Sequence, residues 1–245
     1  MTQSSLKYQT LAPLGNVAAF QGLVTRLEER PHGIPGMGCF YGPSGYGKST
    51  AGLYVANQTR ACVVQVKSVW GVKALCEAIC EELSLSTKGT VSDLVKRLGQ
   101  TLAEEAIPLF IDEADFLVSK KMIEVVRDIY ESSFVPVVLI GEELLPQKLQ
   151  QWERIHGRIL SWIAAEPCDD EDFELLMRIR LPEVELAGDL QDRIKTVARG
   201  SARRIVENLE GARELAALTG KSRLCLADWG DRSFYTGAAP DPRRF

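Results

Sequence analysis

At residues 42–50 the chain reads Gly42-Pro43-Ser44-Gly45-Tyr46-Gly47-Lys48-Ser49-Thr50, which fits the pattern G-x-x-x-x-G-K-[ST]. An apolar run, 37–41, precedes this stretch and a helical pattern, 49–59, follows it. In this motif the glycines let backbone N–H groups turn towards a phosphate, and the start of the helix adds its positive dipole end. Lys48 is placed to reach the β- and γ-phosphates, and the Ser49 hydroxyl to bind Mg²⁺. We therefore expect residues 42–50, here called the phosphate loop, to bind a nucleoside triphosphate.

The composition is that of a globular protein with a sizeable core. The chain has 245 residues, 45% of them hydrophobic and 25% charged, and a formal net charge of −4. No apolar stretch reaches the ~20 residues of a membrane span, and residues 1–13 lack the features of a secretory signal. The six cysteines fall mostly inside apolar runs and only two histidines exist, so we expect free thiols rather than disulfides or zinc. These features predict a cytoplasmic protein without membrane contact.

Strand and helix patterns alternate as far as residue 164. Apolar runs predict five strands, at residues 37–41, 62–66, 107–111, 135–140 and 159–164. Helical spacing predicts helices at 17–29, 49–59, 72–83, 91–104, 121–132 and 144–152, and later at 169–180, 189–199 and 202–218. The alternation predicts an α/β fold whose parallel sheet has helices on both faces and binds ligands beyond the carboxyl ends of its strands. Beyond Pro167 we expect no strand.

These patterns divide the chain into four parts. They are an N-terminal arm at 1–16, a core with the phosphate loop at 17–167, a small helical domain at 168–226 and an irregular tail at 227–245. Within the helical domain, residues 193–223 carry eight basic side chains against three acidic ones, a local balance of +5. This basic stretch fits a solvated helical face and a nucleic-acid contact about equally well.

Two adjacent acids follow the third predicted strand, where the chain reads Leu109-Phe110-Ile111-Asp112-Glu113. An acid at the carboxyl end of a buried strand can hold the Mg²⁺ bound by Ser49 and phosphates, and we assign that role to Asp112. Glu113 is suited to orient or polarise an attacking water, which triphosphate hydrolysis requires. In one-letter code, residues 112–115 (Asp-Glu-Ala-Asp) also spell the tetrapeptide that names a helicase family. Those helicases have a second sheet domain, and the mostly helical pattern after the fifth predicted strand does not fit it.

The phosphate loop, the Asp112-Glu113 pair and the extra strand between them make the chain similar to AAA+ ATPases. This resemblance covers residues 17–218 and implies a P-loop AAA+ sheet followed by a small helical lid domain, with ATP and Mg²⁺ bound. Within that superfamily, residues 111–115, 138–141 and 154–159 resemble those of transposition regulators. These are the B protein of phage Mu, the TnsC-type ATPases and, more distantly, IstB-type helpers.

The AAA+ resemblance implies roles for three arginines, and the chain departs from the AAA+ pattern at one position, Glu142. In AAA+ proteins an arginine before the last core strand completes the neighbouring subunit's site, and Arg154 and Arg158 both occupy that stretch. Arg203 resembles the lid arginine that contacts nucleotide, within the sequence Gly200-Ser201-Ala202-Arg203-Arg204. The fourth strand usually ends in a neutral polar sensor of the γ-phosphate, whereas this one runs into Glu142. Either Glu142 holds the catalytic water, or the sensor is missing and turnover is slow.

The transposition regulators also imply DNA contacts near the loop after the second strand. Lys67 and Lys73 lie there and can neutralise backbone phosphates, while Trp70 either wedges into DNA or packs in the core. The implied partners are duplex DNA, further copies of the chain in an ATP-dependent filament or ring, and a transposase, in the bacterial host cytoplasm if the protein is phage-encoded. Two alternatives stay open: a DNA-independent AAA+ switch that recruits protein partners in secretion or signalling, and a replication helicase loader.

Overall fold

The structure is a computed structural model that describes residues 12–239. Residues 1–11 of the predicted arm and residues 240–245 of the predicted tail lie outside the described part. The described residues form two compact units. The sheet unit comprises Asn16–Pro43 and Lys48–Ala165, and the helical unit comprises residues 12–15, Ser44–Gly47 and residues 166–239.

The sheet unit is built on five parallel strands. They are β1 Met37–Tyr41, β2 Cys62–Gln65, β3 Leu109–Asp112, β4 Val137–Gly141 and β5 Ile159–Ala164. Their order across the sheet is β2-β3-β4-β1-β5, and every neighbouring pair is parallel. The predicted parallel α/β sheet is confirmed. β3 and β4 begin two residues later than predicted, because Pro108 and Pro136 directly precede them and proline has no N–H to donate to a ladder.

Helices cover both faces of this sheet. They are α1 Gly15–Glu28, α2 Lys48–Thr59, α3 Val72–Glu82, α4 Val91–Glu105, α5 Asp115–Ser119, α6 Ile123–Ser133, α7 Leu145–Gln150 and α8 Glu153–His156. Phe20 of α1 packs edge-to-face on Phe40 of β1 and Phe110 of β3, with ring centroids 5.2 and 5.1 Å apart. On the opposite face, Cys39 of β1 and Ile111 of β3 share a core with residues of α3, α4 and α6. Alternate residues of the strands therefore face two different helix layers.

The helix predicted at 144–152 is shorter in the structure, and a separate short helix follows it. α7 ends at Gln150 and α8 begins at Glu153, because Trp152 has φ −112° and ψ 78°, outside the helical region. The side chain of Trp152 is half-buried against the core of the sheet unit. The sequence pattern also does not predict α5, whose five residues are too few to show a helical repeat.

The helical unit is built mainly from helices. They are α9 Asp170–Arg180, α10 Gly188–Ala198, α11 Ala202–Thr219 and α12 Leu226–Trp229. Its core contains Phe173 of α9 and Trp229 of α12. The expectation that no strand follows Pro167 is wrong, since β6 Glu185–Leu186 and β7 Arg223–Leu224 pair in parallel. Two-residue strands leave no periodic pattern in a sequence. No helix within residues 12–239 is long and apolar enough to span a bilayer.

Part of the stretch predicted as an irregular tail is packed. α12 covers its first residues, and Trp229, only 4% exposed, stacks on Phe234 with ring centroids 4.5 Å apart. The side-chain amide of Asn208 donates to the carbonyl oxygen of Tyr235 at 3.0 Å and accepts its N–H at 2.9 Å. Residues 230–239 form no helix or strand, and these contacts hold them on the helical unit.

Candidate nucleotide-binding site

The strand order brings three chain segments to one edge of the sheet. β4 lies between β1 and β3, and the three strands are parallel. Gly42 follows β1, Asp112 ends β3 and Glu142 follows β4. Because parallel strands end at the same edge, these residues lie along that edge, with Glu142 between the other two. We call it the candidate edge.

The phosphate loop turns at its glycines. Gly42, Gly45 and Gly47 have φ angles of +152°, +85° and +80°, in the region that residues with side chains rarely adopt. α2 begins at Lys48, and the N–H groups of the first turn of a helix have no partner within the helix. These groups are therefore available to an anion.

The ammonium group of Lys48 lies over the start of the loop. Its Nζ donates hydrogen bonds to the carbonyl oxygens of Gly42 and Pro43, at 2.7 and 2.8 Å. Burial lowers the pKa of Lys48, whereas four nearby acids, Asp112 foremost, act in the opposite direction. Lys48 is thus a cation held at an otherwise acidic edge.

The tip of the phosphate loop, Ser44–Gly47, belongs to the helical unit. The carbonyl oxygen of Gly45 accepts the backbone N–H of Arg203 at 3.1 Å and the Ser201 hydroxyl at 3.4 Å. A Cβ at Gly45 would lie 2.6 Å from the Ser201 oxygen, so a side chain does not fit there. The exposed Arg203 guanidinium lies 3.5 Å from the hydroxyl of Ser44. Arg203 therefore lies beside the loop tip.

The two acids at the end of β3 differ in their surroundings. Asp112 is 7% exposed, and its Oδ1 accepts the backbone N–H of Glu113 at 2.9 Å. Glu113 is half-buried and has φ +55°, a left-handed conformation that is uncommon for residues other than glycine. Burial raises the pKa of Glu113, and three neighbouring acids, Asp112 first, raise it further. A carboxyl group with raised proton affinity suits a general base for water.

A further acid at the candidate edge, to which the sequence pattern assigns no role, contacts the residue that follows β4. Asp115, at the start of α5, accepts the backbone N–H of Glu142 on Oδ2 at 2.7 Å. Its Oδ1 accepts a hydrogen bond from Nζ of Lys148 at 2.6 Å. In the sequence Asp115 stands only as the last residue of the stretch 111–115 that resembles transposition regulators, without a role of its own, and no motif includes Lys148. The side chain of Glu142 itself is exposed.

Side-chain oxygens at the candidate edge fit Mg²⁺. Ser49 is exposed in the first turn of α2, and Asp112 offers a carboxylate at the end of β3. Proteins usually hold Mg²⁺ by one or two side-chain oxygens together with the phosphates of a substrate. Within residues 12–239 no group of three or more His, Cys, Asp or Glu side chains could hold a metal alone. Ser49 and Asp112 therefore fit an ion that arrives with a phosphate ligand.

Known proteins share this fold. Residues 33–149 match the family model described as an AAA domain. The Orc1 protein of Aeropyrum pernix, solved in complex with DNA, is 18% identical with a TM-score of 0.63, over 87% of this chain and 62% of that one. Cdc6p from Pyrobaculum aerophilum is 17% identical with a TM-score of 0.61, over 84% of this chain and 62% of that one. The protein has the AAA+ P-loop fold.

The comparisons show the AAA+ fold and nothing finer. No curated protein matches the chain in sequence. The chain spans 62% of the length of both solved structures, and at 17% and 18% identity the likeness concerns the fold alone. The narrower resemblance to transposition regulators is not among these findings and stays a proposal.

Two arginines precede β5, the last strand of the AAA+ sheet. The carbonyl oxygen of Arg158 accepts the N–H of Met37, the first residue of β1, at 3.1 Å. Arg158 therefore lies at the amino ends of the strands, opposite the candidate edge, and its guanidinium pairs with Glu131 at 2.5 Å. Arg154 is exposed on α8 and forms no ion pair within residues 12–239. Arg158 is therefore at the opposite end of the strands from the phosphate loop of its own chain.

The loop after β2 exposes lysines and one apolar side chain. Lys67 lies 5.8 Å from the centre of the Trp70 ring, and Nζ of Lys120 donates to the carbonyl oxygen of Trp70 at 3.3 Å. Trp70 is half-buried against the core, so it does not project as a wedge, whereas Val69 is 83% exposed. Lys73 is exposed and pairs with an acid one turn along α3 at 3.6 Å. Lys120 thus joins Lys67 and Lys73 in what we call the lysine patch.

The basic stretch 193–223 is partly neutralised. Ion pairs within the helical unit join Lys195 to Asp170, Arg213 to Glu210, Lys221 to Asp228 and Arg223 to Glu185. A further cation, Arg193, lies 5.6 Å from the centre of the Phe234 ring. These contacts favour a solvated, ion-paired helical face over a nucleic-acid contact at this stretch.

Proposed function

We propose that the protein is a Mg²⁺-dependent ATPase whose ATP-bound form assembles on duplex DNA. The observation that carries the catalytic part is the meeting of Lys48, Asp112 and Glu113 at one edge of the sheet. The half-buried Glu113 has the raised pKa of a base, and Lys48 is the cation beside it. This set of side chains suits phosphoryl transfer to water better than nucleotide binding alone.

Each residue has its own role in this hydrolysis. Lys48 exchanges its bonds to two loop carbonyls for bonds to the β- and γ-phosphates, which are charged and therefore stronger acceptors. Ser49 and Asp112 hold Mg²⁺, which when bound neutralises part of the charge on the phosphates. Glu113 orients the attacking water and takes up its proton, and a raised pKa brings this base closer to neutral pH. Arg203, whose guanidinium lies 3.5 Å from the Ser44 hydroxyl of the loop tip, contacts a nucleotide bound at that tip.

Phosphate release by the purified protein tests the catalytic part. We expect hydrolysis of ATP by the wild type, and none after a chelator removes Mg²⁺ or after Lys48→Ala removes the cation of the loop. Lys96→Ala, at an exposed lysine of α4 in the same unit, is the matched control and keeps wild-type turnover. Equal turnover by the wild type and Lys48→Ala would place the active site elsewhere.

The second part of the proposal is assembly through an arginine that acts on the neighbouring subunit. Arg154 and Arg158 both precede β5, and Arg158 lies opposite the candidate edge of its own subunit. Arg154 is the better candidate, because Glu131 already engages the guanidinium of Arg158. Such an arginine stabilises charge on the γ-phosphate, so hydrolysis becomes dependent on assembly.

The third part is DNA contact through the lysine patch. Lys67, Lys73 and Lys120 give each subunit only a few phosphate contacts, so useful affinity requires several subunits on one duplex. ATP-dependent assembly supplies that multiplicity. The resemblance to transposition regulators suggests the partner: the assembled protein marks a target site and recruits or stimulates a transposase there.

A replication-type ATPase is the second candidate function. It is favoured by the likeness in fold to the Orc1 protein of Aeropyrum pernix, which was solved in complex with DNA. A DNA-independent switch that recruits other proteins is the remaining alternative. Filter binding of a short duplex, with and without ATP and across a salt series, separates this switch from both DNA-binding candidates. Binding that needs ATP and weakens with salt supports them, and its absence leaves only the switch.

A further inference from the structure

A single carboxylate joins three elements at the candidate edge. Asp115 begins α5, directly after β3, and its side chain is only 12% exposed. One of its oxygens accepts the N–H of Glu142, which follows β4, at 2.7 Å. The other accepts from Lys148 of α7 at 2.6 Å. Both contacts have the length of strong hydrogen bonds, and each involves at least one charged group.

The backbone around Asp115 is built for this close approach. A Cβ at Gly141 would lie 2.4 Å from Oδ2 of Asp115 and 2.6 Å from Leu145, so the last residue of β4 has no space for a side chain. The N–H of Ala114 donates to the carbonyl oxygen of Ile140 at 2.9 Å, which ties the ends of β3 and β4 together beside the carboxylate. The carboxylate therefore lies where these two strand ends meet.

The number of acids at the candidate edge gives a reason for the ion pair between Asp115 and Lys148. Asp112, Glu113, Glu142 and Asp115 act electrostatically to raise the pKa of Lys48. Asp112, Glu142 and Asp115 likewise raise the pKa of Glu113. Asp115 is the only one of the four with an ion pair among residues 12–239. Lys148 neutralises the charge of the poorly exposed Asp115 carboxylate while that carboxylate holds the backbone N–H of Glu142. The ion pair thus limits the negative charge at an edge that must accept a triphosphate.

We infer that Asp115 and Lys148 are positioning residues for hydrolysis, and that they act as one unit by fixing the end of β4 beside Glu113. The inference rests on the proposed ATPase function and adds to it two residues that fix the backbone at Glu142. The pair itself touches no substrate. We expect the pair to affect kcat, because moving a catalytic group by a fraction of an ångström lowers the rate of the chemical step.

The test uses the 245-residue chain, four variants of the pair and one control variant. Asp115→Asn keeps an acceptor for the Glu142 N–H but loses the ion pair, and Lys148→Met keeps the Asp115 carboxylate but loses its cation. The third variant combines both changes, and the fourth, Lys148→Arg, keeps the pair. Lys195→Met is the matched control, since it breaks an ion pair of 2.5 Å with Asp170 in the helical unit. We measure kcat, KM and the dissociation constant of a fluorescent ATP analogue for each.

We expect each single variant to lower kcat about tenfold with an analogue affinity within about twofold of the wild type, and the double variant to be no slower than the singles. Lys148→Arg and Lys195→Met keep wild-type kcat. The inference is overturned if Lys148→Met keeps wild-type kcat, if the analogue affinity falls as much as kcat, or if the two effects multiply in the double variant. A wild type that does not hydrolyse ATP would instead remove the proposed function itself.

Discussion

Both backbone polar groups of Glu113 form hydrogen bonds. Its N–H donates to Oδ1 of Asp112 at 2.9 Å, and its carbonyl oxygen accepts the N–H of Phe116 at 3.0 Å. A left-handed conformation at a residue other than glycine persists only where the surroundings fix it. These two bonds supply that constraint, and they set the direction in which the half-buried carboxyl group leaves the strand.

The role of Glu113 predicts a separation of binding from turnover. Glu113→Gln keeps the shape of the side chain but cannot take up a proton, so we expect kcat to fall by about 100-fold or more with little change in ATP affinity. Phosphate release and binding of a fluorescent ATP analogue measure the two quantities. Glu143→Gln, at an exposed acid nearby, is the control. Wild-type kcat in Glu113→Gln would remove its assignment as the base.

The tight packing at the end of β4 predicts a cost in stability. Gly141→Ala places a methyl group 2.4 Å from the Asp115 carboxylate, and we expect the free energy of unfolding to fall by about 1–3 kcal/mol. Denaturant titration measures this change. Gly22→Ala, in α1 where nothing lies within 4 Å, is the control and should gain about 0.5–1 kcal/mol from helix propensity. Equal stability of Gly141→Ala and the wild type would contradict this packing.

Some site residues can be predicted from the sequence and others cannot, for a physical reason. Lys48 and Ser49 have fixed spacing within one local loop, and Asp112 ends a recognisable apolar run, so a pattern identifies them. Asp115 and Lys148 are 33 positions apart and meet only because β4 and α7 bring them together. No local repeat records such a contact.

At the scale of elements, the segment before β5 carries the arginine that we propose acts on a neighbouring subunit. α7 and α8 are separate helices with Trp152 between them, and α8 carries Arg154 on its exposed side. Arg158 directly precedes β5, and its guanidinium pairs with Glu131. This arrangement leaves one arginine of the segment without an ion pair in the described part of the chain.

A mixing experiment tests the shared site. Arg154→Ala keeps its own Glu113 but supplies no arginine, so we expect its assembly-stimulated hydrolysis to fall by about 100-fold or more. Mixing it with inactive Glu113→Gln protein should restore turnover, because each variant supplies what the other lacks. A mixture with the Arg154→Ala/Glu113→Gln double variant is the control and stays inactive. Wild-type hydrolysis by Arg154→Ala alone would exclude this arginine.

The elements show where sequence patterns carry information and where they do not. The three central strands, β1, β3 and β4, are buried on both faces and the edge strands β2 and β5 are partly buried. All five contain apolar runs, so all five are predicted. β6 and β7 contribute two residues each, and the break between α7 and α8 falls at Trp152, whose side chain packs against the core. Neither feature has a period, so neither can be read from the sequence.

At the scale of the whole molecule, the lysine patch predicts how DNA binding responds to charge. We expect Lys67→Glu combined with Lys120→Glu to weaken ATP-dependent binding of duplex DNA and to lower the salt slope by about 0.9 for each DNA phosphate that is no longer neutralised. Filter binding across a salt series measures both. Lys96→Glu makes the same kind of charge change at an exposed lysine of α4 and should bind as the wild type does. Unchanged affinity and slope in the patch variant would exclude this surface.

The central claim joins nucleotide state to assembly on DNA, and one measurement addresses both. Electron microscopy of Glu113→Gln protein with duplex DNA, in the presence and absence of Mg²⁺ and ATP, observes the state in which ATP is bound but not hydrolysed. We expect continuous protein along the duplex with ATP and bare DNA without it, and bare DNA in both conditions for Lys48→Ala. Protein on DNA irrespective of ATP, or no assembly in any condition, would contradict the claim.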